Sequence, residues 1–363
     1  MLQMPFKPRA QILLQLGEQL IKNENIAILE LVKNSYDADA KKVVVNMHSV
    51  DSKDSGYIEI KDDGCGMSID IIKNIWMEPG NSHKKSVVER KARSEMGRLP
   101  IGEKGIGRFG VHKLGKVIEL VSKMEGKQEV ALNIDWRIFE NAEYLSDVNI
   151  NIQERKAEIF KEGKTGTYIR IRNLSTNWTR GMLRNLHRSL TALNSPFNSN
   201  QSFKVILKTD RLEWLEGLIS FKDIKDYALF ECDMKLEKNE ITQFDYKFKP
   251  YDVMYRISER KVVFDKNVVM RKRVNRNGKR EFEDIDLSKF KIGDIRIKIY
   301  AFDREASILN NFIPDKAAFK SYLDENGGIS VFRDGMRILD YGEPDNDWLG
   351  LDLKRVNAPT KNL

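Results

Sequence analysis

Four groups of residues have types and spacings that can do chemistry. The densest is Ile101–Gly110, which places Gly102, Gly105, Gly107 and Gly110 within ten residues and runs into the helix-like Val111-His112-Lys113-Leu114. Lacking a Cβ, glycine lets backbone N–H groups turn inward and approach a ligand closely. A helix starting just beyond such a turn adds unpaired donors and a positive dipole end, which suits a phosphate. Lys104 and Arg108 bring charge to the same place. No Gly-Lys-Ser/Thr closes the stretch, so it is not a Walker A loop, and a plain tight turn stands beside the phosphate reading. Upstream, Glu30 and Asn34 lie four apart in a helical, largely apolar run and project from one face. The carboxylate can accept a proton from water and the amide oxygen can ligate a hard cation such as Mg²⁺. The bland alternative is a solvated pair, yet Glu30 sits between Leu29 and Leu31.

The third group is Asp62-Asp63-Gly64-Cys65-Gly66-Met67. A strand, an acid, two glycines and a helix make a pocket corner where a flat ligand can lie against the backbone and Asp62 can accept from an exocyclic amine such as adenine's. An acidic β-turn bonding its own backbone is the competing reading, with Cys65 and Met67 as packing residues. The fourth is Gly166-Thr167, where the threonine hydroxyl can assist the same base; β-propensity alone also puts threonine at a strand start.

These groups need elements to hold them. An amphipathic helix opens at Ala10 behind Pro8, and a second begins near Asn25, with Ile26, Ala27, Leu29, Leu31 and Val32 at helical spacing. Val43–His48 and Tyr57–Lys61 alternate as strands expected to pair as neighbours, and Ser68 caps a predicted helix over Ile69–Trp76. Residues 77–100 form a long polar connection between the acidic and glycine-rich turns, the position of a lid. Ser82 and Lys84 are phosphate candidates there, and His83 receives no role. Strands are predicted over Lys116–Val121, Glu129–Ile134 and Thr167–Arg172, a helix over Gly181–Leu193 with Leu183, Leu186 and Leu190 on one stripe, and a strand over Phe203–Lys208. A new pattern begins near Ile219: strands at Phe244–Phe248, Val262–Phe264 and Ile295–Tyr300, a helix over Asp315–Leu323, and a hairpin turning at Asp334-Gly335.

The chain has 363 residues, enough for two or three domains, and a net charge of +8. No apolar run reaches the length of a membrane span, and Lys7, Arg9 and Glu18 interrupt the N-terminal apolar residues, so the expected location is the cytoplasm, with no membrane partner. Cys65 and Cys232 are the two cysteines, too few for a disulfide framework or a cysteine-based zinc site. The basic run Arg271–Arg280 is followed at once by Glu281, Glu283, Asp284 and Asp286, which favours a solvated hairpin or loop over a nucleic-acid patch.

Glu30-x-x-x-Asn34, Asp62-x-Gly64-x-Gly66, Gly102-x-x-Gly105-x-Gly107 and Gly166-Thr167 occur in that order, and with them the chain resembles the GHKL superfamily: gyrase B subunits, ninety-kilodalton heat-shock chaperones, MutL and microrchidia ATPases, and histidine kinases. The wording Glu30–Ala40 looks most like microrchidia- and chaperone-type members. The resemblance implies an α+β architecture, the Bergerat α/β sandwich over residues 1–215 with a lid at about 77–104, then a transducer-like α/β domain over 216–363, with the chain expected to be an N-terminal fragment or to lack a partner-binding part. It implies Mg·ATP as ligand, Glu30 as general base or water-orienting residue, Asn34 on Mg²⁺, Asp62 reading adenine with Thr167 assisting, and Asp37 supporting near the base. Gly64, Gly66 and Met67 would line the nucleotide, and Gly102, Lys104, Gly105, Ile106 and Gly107 would receive the phosphates. Histidine kinases of the superfamily generally carry Asn where hydrolytic members carry Glu, and the segment before Glu30 holds no phosphoacceptor His, so hydrolysis is favoured over kinase chemistry. A basic residue of the second domain would reach the γ-phosphate, with Lys354, Arg355 and Lys361 as candidates. The expectation is an ATP-driven switch that closes a lid and pairs two copies on a protein or DNA client. The alternatives are a non-catalytic nucleotide-gated binding module and a GHKL-type protein kinase.

Overall fold

The computed structural model describes residues 3, 5–78, 93–101, 107–197, 203–264, 271–276, 279–290, 293–338, 341, 346 and 349–350. The chain divides into two units, one made of Met1–Glu216 with Ile329–Leu363, the other of Gly217–Gly328.

The first unit is a two-layer α/β sandwich. Its helices include α1 (Ile12–Leu20), α2 (Glu24–Asp37), the single turn α3 (Ile69–Ile71), α4 (Arg137–Asn141) and α5 (Arg180–Ala192). Its sheet has seven strands: β1 (Lys42–His48), β2 (Tyr57–Asp62), β3 (Gly115–Lys123), β4 (Glu129–Asp135), β5 (Ile152–Arg155), β6 (Gly166–Leu174) and β7 (Lys204–Thr209). They run in the order β5-β4-β3-β6-β2-β1-β7. All neighbours are antiparallel except β1 and β7, so the sheet is mixed, and β1 and β2 pair directly, as expected.

Alternation decides the faces. Val43, Val45 and Met47 of β1, Ile58 and Ile60 of β2, and Ile118 and Leu120 of β3 turn inward, joining one core with α2 and the Leu183, Leu186, Leu190 stripe of α5. The opposite face carries a polar cluster in which Glu59 accepts from Asn46 and Tyr168 and forms an ion pair with Arg170. Asn23 caps α2 by accepting from the Ile26 N–H at 3.0 Å, and Thr179 caps α5 by accepting from Met182. The helix predicted over Ile69–Trp76 exists, but after Ile71 it widens into a π-helical turn over Ile72–Trp76, closed by Met77 N–H donating to the Ile72 carbonyl at 2.8 Å.

The second unit has a four-stranded antiparallel sheet, β10-β9-β8-β13, from β8 (Phe230–Glu237), β9 (Glu240–Phe248), β10 (Arg260–Phe264) and β13 (Ile295–Ala301). Helices α6 (Phe221–Ile224), α7 (Ala306–Phe312) and α8 (Lys316–Asn326) accompany it, and Ile224, Leu309, Ile313 and Phe319 form a small core. The hairpin β11–β12 (Arg271–Arg276 and Lys279–Asp284) pairs Arg271 with Asp284 at 2.8 Å and Lys272 with Glu283 at 3.3 Å, so basic and acidic residues face each other across it.

One boundary needs correction. The described stretch from Ile329 to Ile338 was expected in a second domain over 216–363, but it belongs to the first unit. There β14 (Val331–Arg333) and β15 (Met336–Ile338) form a hairpin whose turn residues Asp334 and Gly335 both have positive φ, 51° and 83°. Ser195 N–H donates to the Gly335 carbonyl and Arg337 N–H to that of Leu193, at 3.0 and 2.8 Å, while Met336 is buried in the main core. Local alternation shows a hairpin; it does not show which core the hairpin joins.

Among the described residues no helix is long and apolar enough to cross a membrane. Lys354, Arg355 and Lys361 lie outside the described residues.

Candidate functional site

Asp62, the last residue of β2, is 8% exposed and gathers donors from three separate segments. Ser35 of α2 donates its hydroxyl to Oδ2 at 2.9 Å, and the Gly64 and Thr167 N–H groups donate to Oδ1 at 3.0 Å each. Burial pushes the Asp62 carboxyl above the ordinary aspartate range, against the opposing pull of these three donors. An ionised carboxylate offers about four lone-pair sites. Three are engaged, so Oδ2 keeps the capacity to accept from one further donor.

A second hydroxyl, Ser122 of β3, joins the turn to β6. It is fully buried, accepts from the Met67 N–H at 2.9 Å, donates to the Gly166 carbonyl at 3.0 Å and meets the Thr167 hydroxyl at 2.9 Å. Its one proton goes to Gly166, so Thr167 donates to Ser122 and its own oxygen remains an acceptor. Gly66 and Gly166 make this junction possible. At φ +65° a Cβ on Gly66 would sit 2.0 Å from the Lys123 carbonyl oxygen, and at φ +138° one on Gly166 would sit 2.2 Å from that of Asp62. These two glycines serve the approach of chain to chain, a reason independent of any ligand. Gly64 donates to Asp62 and accepts from the Thr165 hydroxyl at 2.8 Å; Met67 packs on the core edge, whereas Cys65 is exposed instead of packed.

Helix α2 carries Glu30, Lys33, Asn34 and Asp37 at i, i+3, i+4 and i+7, one continuous stripe. Lys33 Nζ lies 2.7 Å from Glu30 Oε1, and Asn34 is half-buried. Asp37, expected beside the base, accepts the Ile101 N–H at 2.8 Å, the residue immediately before the glycine-rich turn. The segment leading to Ile101 is fastened around it. Arg98 is buried at the C-terminal end of α2, donates to the Tyr36 and Ala40 carbonyls at 3.1 and 2.8 Å, and lies 4.4 Å from the Tyr36 ring centre. A cation there meets the negative end of the helix dipole. Ser94 donates to Asp39 at 2.6 Å, and Arg333 of the β14–β15 hairpin donates to the Pro100 carbonyl at 2.9 Å.

Beyond the turn, Gly107 opens a 3-10 helix, Gly107–Lys113, that packs on α1 and α2, and Lys113 donates to the Ile21 carbonyl at 2.6 Å. Gly102, Lys104, Gly105 and Ile106 lie outside the described residues, as do Ser82, His83 and Lys84.

The fold therefore brings Asp62, Gly64, Met67 and Thr167 together with α2, the helix that carries Glu30, Asn34 and Asp37. Among the described residues the Glu30 carboxylate touches Lys33 and none of the others. Ser35, Ser122 and Lys33 were not singled out in the sequence. Ser122 had a signal: it occupies an inward position after Ile118 and Leu120, where a polar residue needs a partner. Ser35 and Lys33 had none beyond their place in the Glu30–Ala40 run.

Residues 22–167 match the model of the family described as histidine kinase-, DNA gyrase B-, and HSP90-like ATPase. A protein of Herpetosiphon aurantiacus described as "Putative type II restriction enzyme HgiDII" is 33% identical over 111 residues, which are 31% of this chain and 16% of that relative's length.

Proposed function

Residues 22–167 form a domain of the GHKL superfamily, and from that premise we propose that the protein binds Mg·ATP and hydrolyses it to drive a conformational switch. The observation that carries the proposal is the convergence on Asp62 of α2, the acidic turn and the start of β6. The remaining acceptor capacity of Asp62 fits the exocyclic amine of adenine, and the acceptor left on Thr167 gives the base a second polar edge. Glu30, on the helix that buttresses Asp62, would orient the attacking water and take its proton. The glycine-rich turn, with Gly102, Lys104, Gly105, Ile106 and Gly107, would receive the phosphates.

Magnesium fits a site of this kind through one protein ligand. Among the described residues no group of three or more His, Cys, Asp or Glu side chains is arranged to hold a metal, and Mg²⁺ commonly takes few protein ligands together with substrate phosphates and water. Asn34 would supply the protein oxygen, and the bound ion would neutralise phosphate charge. The work of the chain is then positioning: Asp62 fixes the base, the turn fixes the phosphates and Glu30 fixes the water. The lid expected over 77–104 lies largely outside the described residues; its closure and nucleotide-dependent pairing of two copies would turn hydrolysis into a mechanical output.

The test is ATP turnover and solution mass, each measured with and without a non-hydrolysable ATP analogue. Turnover that disappears in Glu30→Ala while analogue binding persists supports the reading; a Glu30→Ala protein hydrolysing ATP at the normal rate refutes it. A second reading, a nucleotide-gated DNA-binding module without turnover, draws on the restriction-enzyme description of the relative. Its signature is salt-sensitive DNA binding that responds to the analogue with no phosphate released.

A further inference from the structure

We infer that Lys33 is a positioning residue for Glu30, holding one carboxylate oxygen so that the other is presented to the attacking water. The inference rests on the ATP-hydrolysis reading above and deepens it.

The pair is unlike an ordinary helix-surface ion pair. Lys33 Nζ lies 2.7 Å from Glu30 Oε1, and the two side chains are 10% and 25% exposed. Leu29, Leu31 and Val32, which flank them in the sequence, are all buried. A lysine in such a place loses the freedom of a four-carbon stem and the hydration of its ammonium. A carboxylate beside it loses hydration as well. Each charge is offset by the other, and removing Glu30 leaves the buried Lys33 ammonium uncompensated, while removing Lys33 leaves a half-buried carboxylate without its counter-charge.

The geometry also separates the two oxygens of Glu30. Oε1 accepts from Lys33, and among the described residues Oε2 has no donor. An ammonium is a point charge that can satisfy one oxygen, whereas an arginine fork tends to engage both. A carboxylate that must take a proton from water needs one oxygen kept clear and a fixed rotamer, and Lys33 supplies both conditions. It also offsets the repulsion between Glu30 and a triphosphate held nearby, because the positive charge stays within contact of the carboxylate.

The experiment compares kcat and the dissociation constant of a non-hydrolysable ATP analogue for wild type, Glu30→Gln, Lys33→Met and the double variant. Lys33→Met is expected to lower kcat by about 10- to 100-fold and to leave analogue binding unchanged. In the Glu30→Gln background the same change is expected to add nothing, because the lysine acts through the glutamate. Should Lys33→Met fail to fold, Lys33→Gln, which keeps a donor of shorter reach without the charge, is expected to lose kcat with analogue binding unchanged. A wild-type kcat in the folded Lys33 variant, an equal loss in the Glu30→Gln background, or a rise in the dissociation constant that accounts for the lost rate overturns the assignment. A wild-type protein without ATP turnover sinks the hydrolysis reading and this one with it; an active wild type with an equally active Lys33 variant sinks the lysine's role alone.

Discussion

Asp37 Oδ1 accepts the backbone N–H of Ile101 at 2.8 Å, tying the last residue of α2 to the residue that enters the glycine-rich turn. The helix that buttresses Asp62 through Ser35 thereby also sets where that turn begins. Asp37→Ala is expected to free Ile101 while the sheet stays folded. A hydrogen bond to a charged acceptor is worth about 1.5–3 kcal/mol, so amide exchange at Ile101 should accelerate by about 10- to 100-fold. Hydrogen–deuterium exchange of a peptide spanning that residue measures it, with β2 amides as the unchanged control.

On the proposed reading, in which Asp62 accepts from the base, nucleotide affinity should depend on pH with a definite sign. The ionised form would be the acceptor, and burial holds its pKa above the ordinary aspartate range. Affinity should therefore be complete above the raised pKa and weaken as pH falls through it, beginning at a higher pH than an ordinary aspartate would give. Titrating the dissociation constant of an ATP analogue downward from about pH 7 should show the loss. Asp62→Asn should bind weakly at every pH, with the slope gone.

Glu129 titrates in the opposite sense. It is fully buried at the start of β4; burial alone would raise its pKa, but the N–H groups of Phe160, Glu158 and Ile159 and the Arg155 guanidinium together hold it below the ordinary value. The bonded loop leads on in the chain to Gly166-Thr167. A depressed folded-state pKa contributes stability that is present above the unfolded value, 4.5, and is lost as pH falls through the folded one. Thermal denaturation at neutral pH should show Glu129→Gln destabilised by about 2 kcal/mol, with the gap to wild type closing on acidification.

Two glycines with similar positive φ should respond differently to alanine. Gly66 (φ +65°) has the Lys123 carbonyl oxygen 2.0 Å from a Cβ, whereas Gly97 (φ +75°) has nothing within 4 Å. Gly97→Ala should cost about 1–2 kcal/mol, the price of the left-handed backbone. Gly66→Ala must also displace β3, and it should lose both more stability and analogue binding. Denaturation midpoints of the two variants decide it.

The β14–β15 hairpin should behave as part of the first unit's core. Met336 is 1% exposed there, so Met336→Ala is expected to cost about 2–5 kcal/mol. Urea unfolding followed by Trp178, buried in the same core, measures it.

The sequence by itself determined the kinds of element and the order of the motifs. Apolar alternation in Val43–His48, helical spacing from Ile26 to Val32 and the leucine stripe of α5 each reflect a local period, and the structure has the same elements. The four motifs were legible as residue types because turns and caps draw on few amino acids. Tertiary structure alone decided what those faces meet. Ser35 reaches Asp62 across 27 positions and Ser122 reaches Thr167 across 45, through strand pairing and helix docking that no local period encodes. Asp37 binds Ile101 and Arg333 binds Pro100 for the same reason. The hairpin from Val331 to Ile338 returns to the first unit after an inserted second unit because its partners, Leu193 and Ser195, were left at the end of α5 more than a hundred residues earlier. Periodicity tells a segment which side to bury; only the packed chain supplies the neighbour it is buried against.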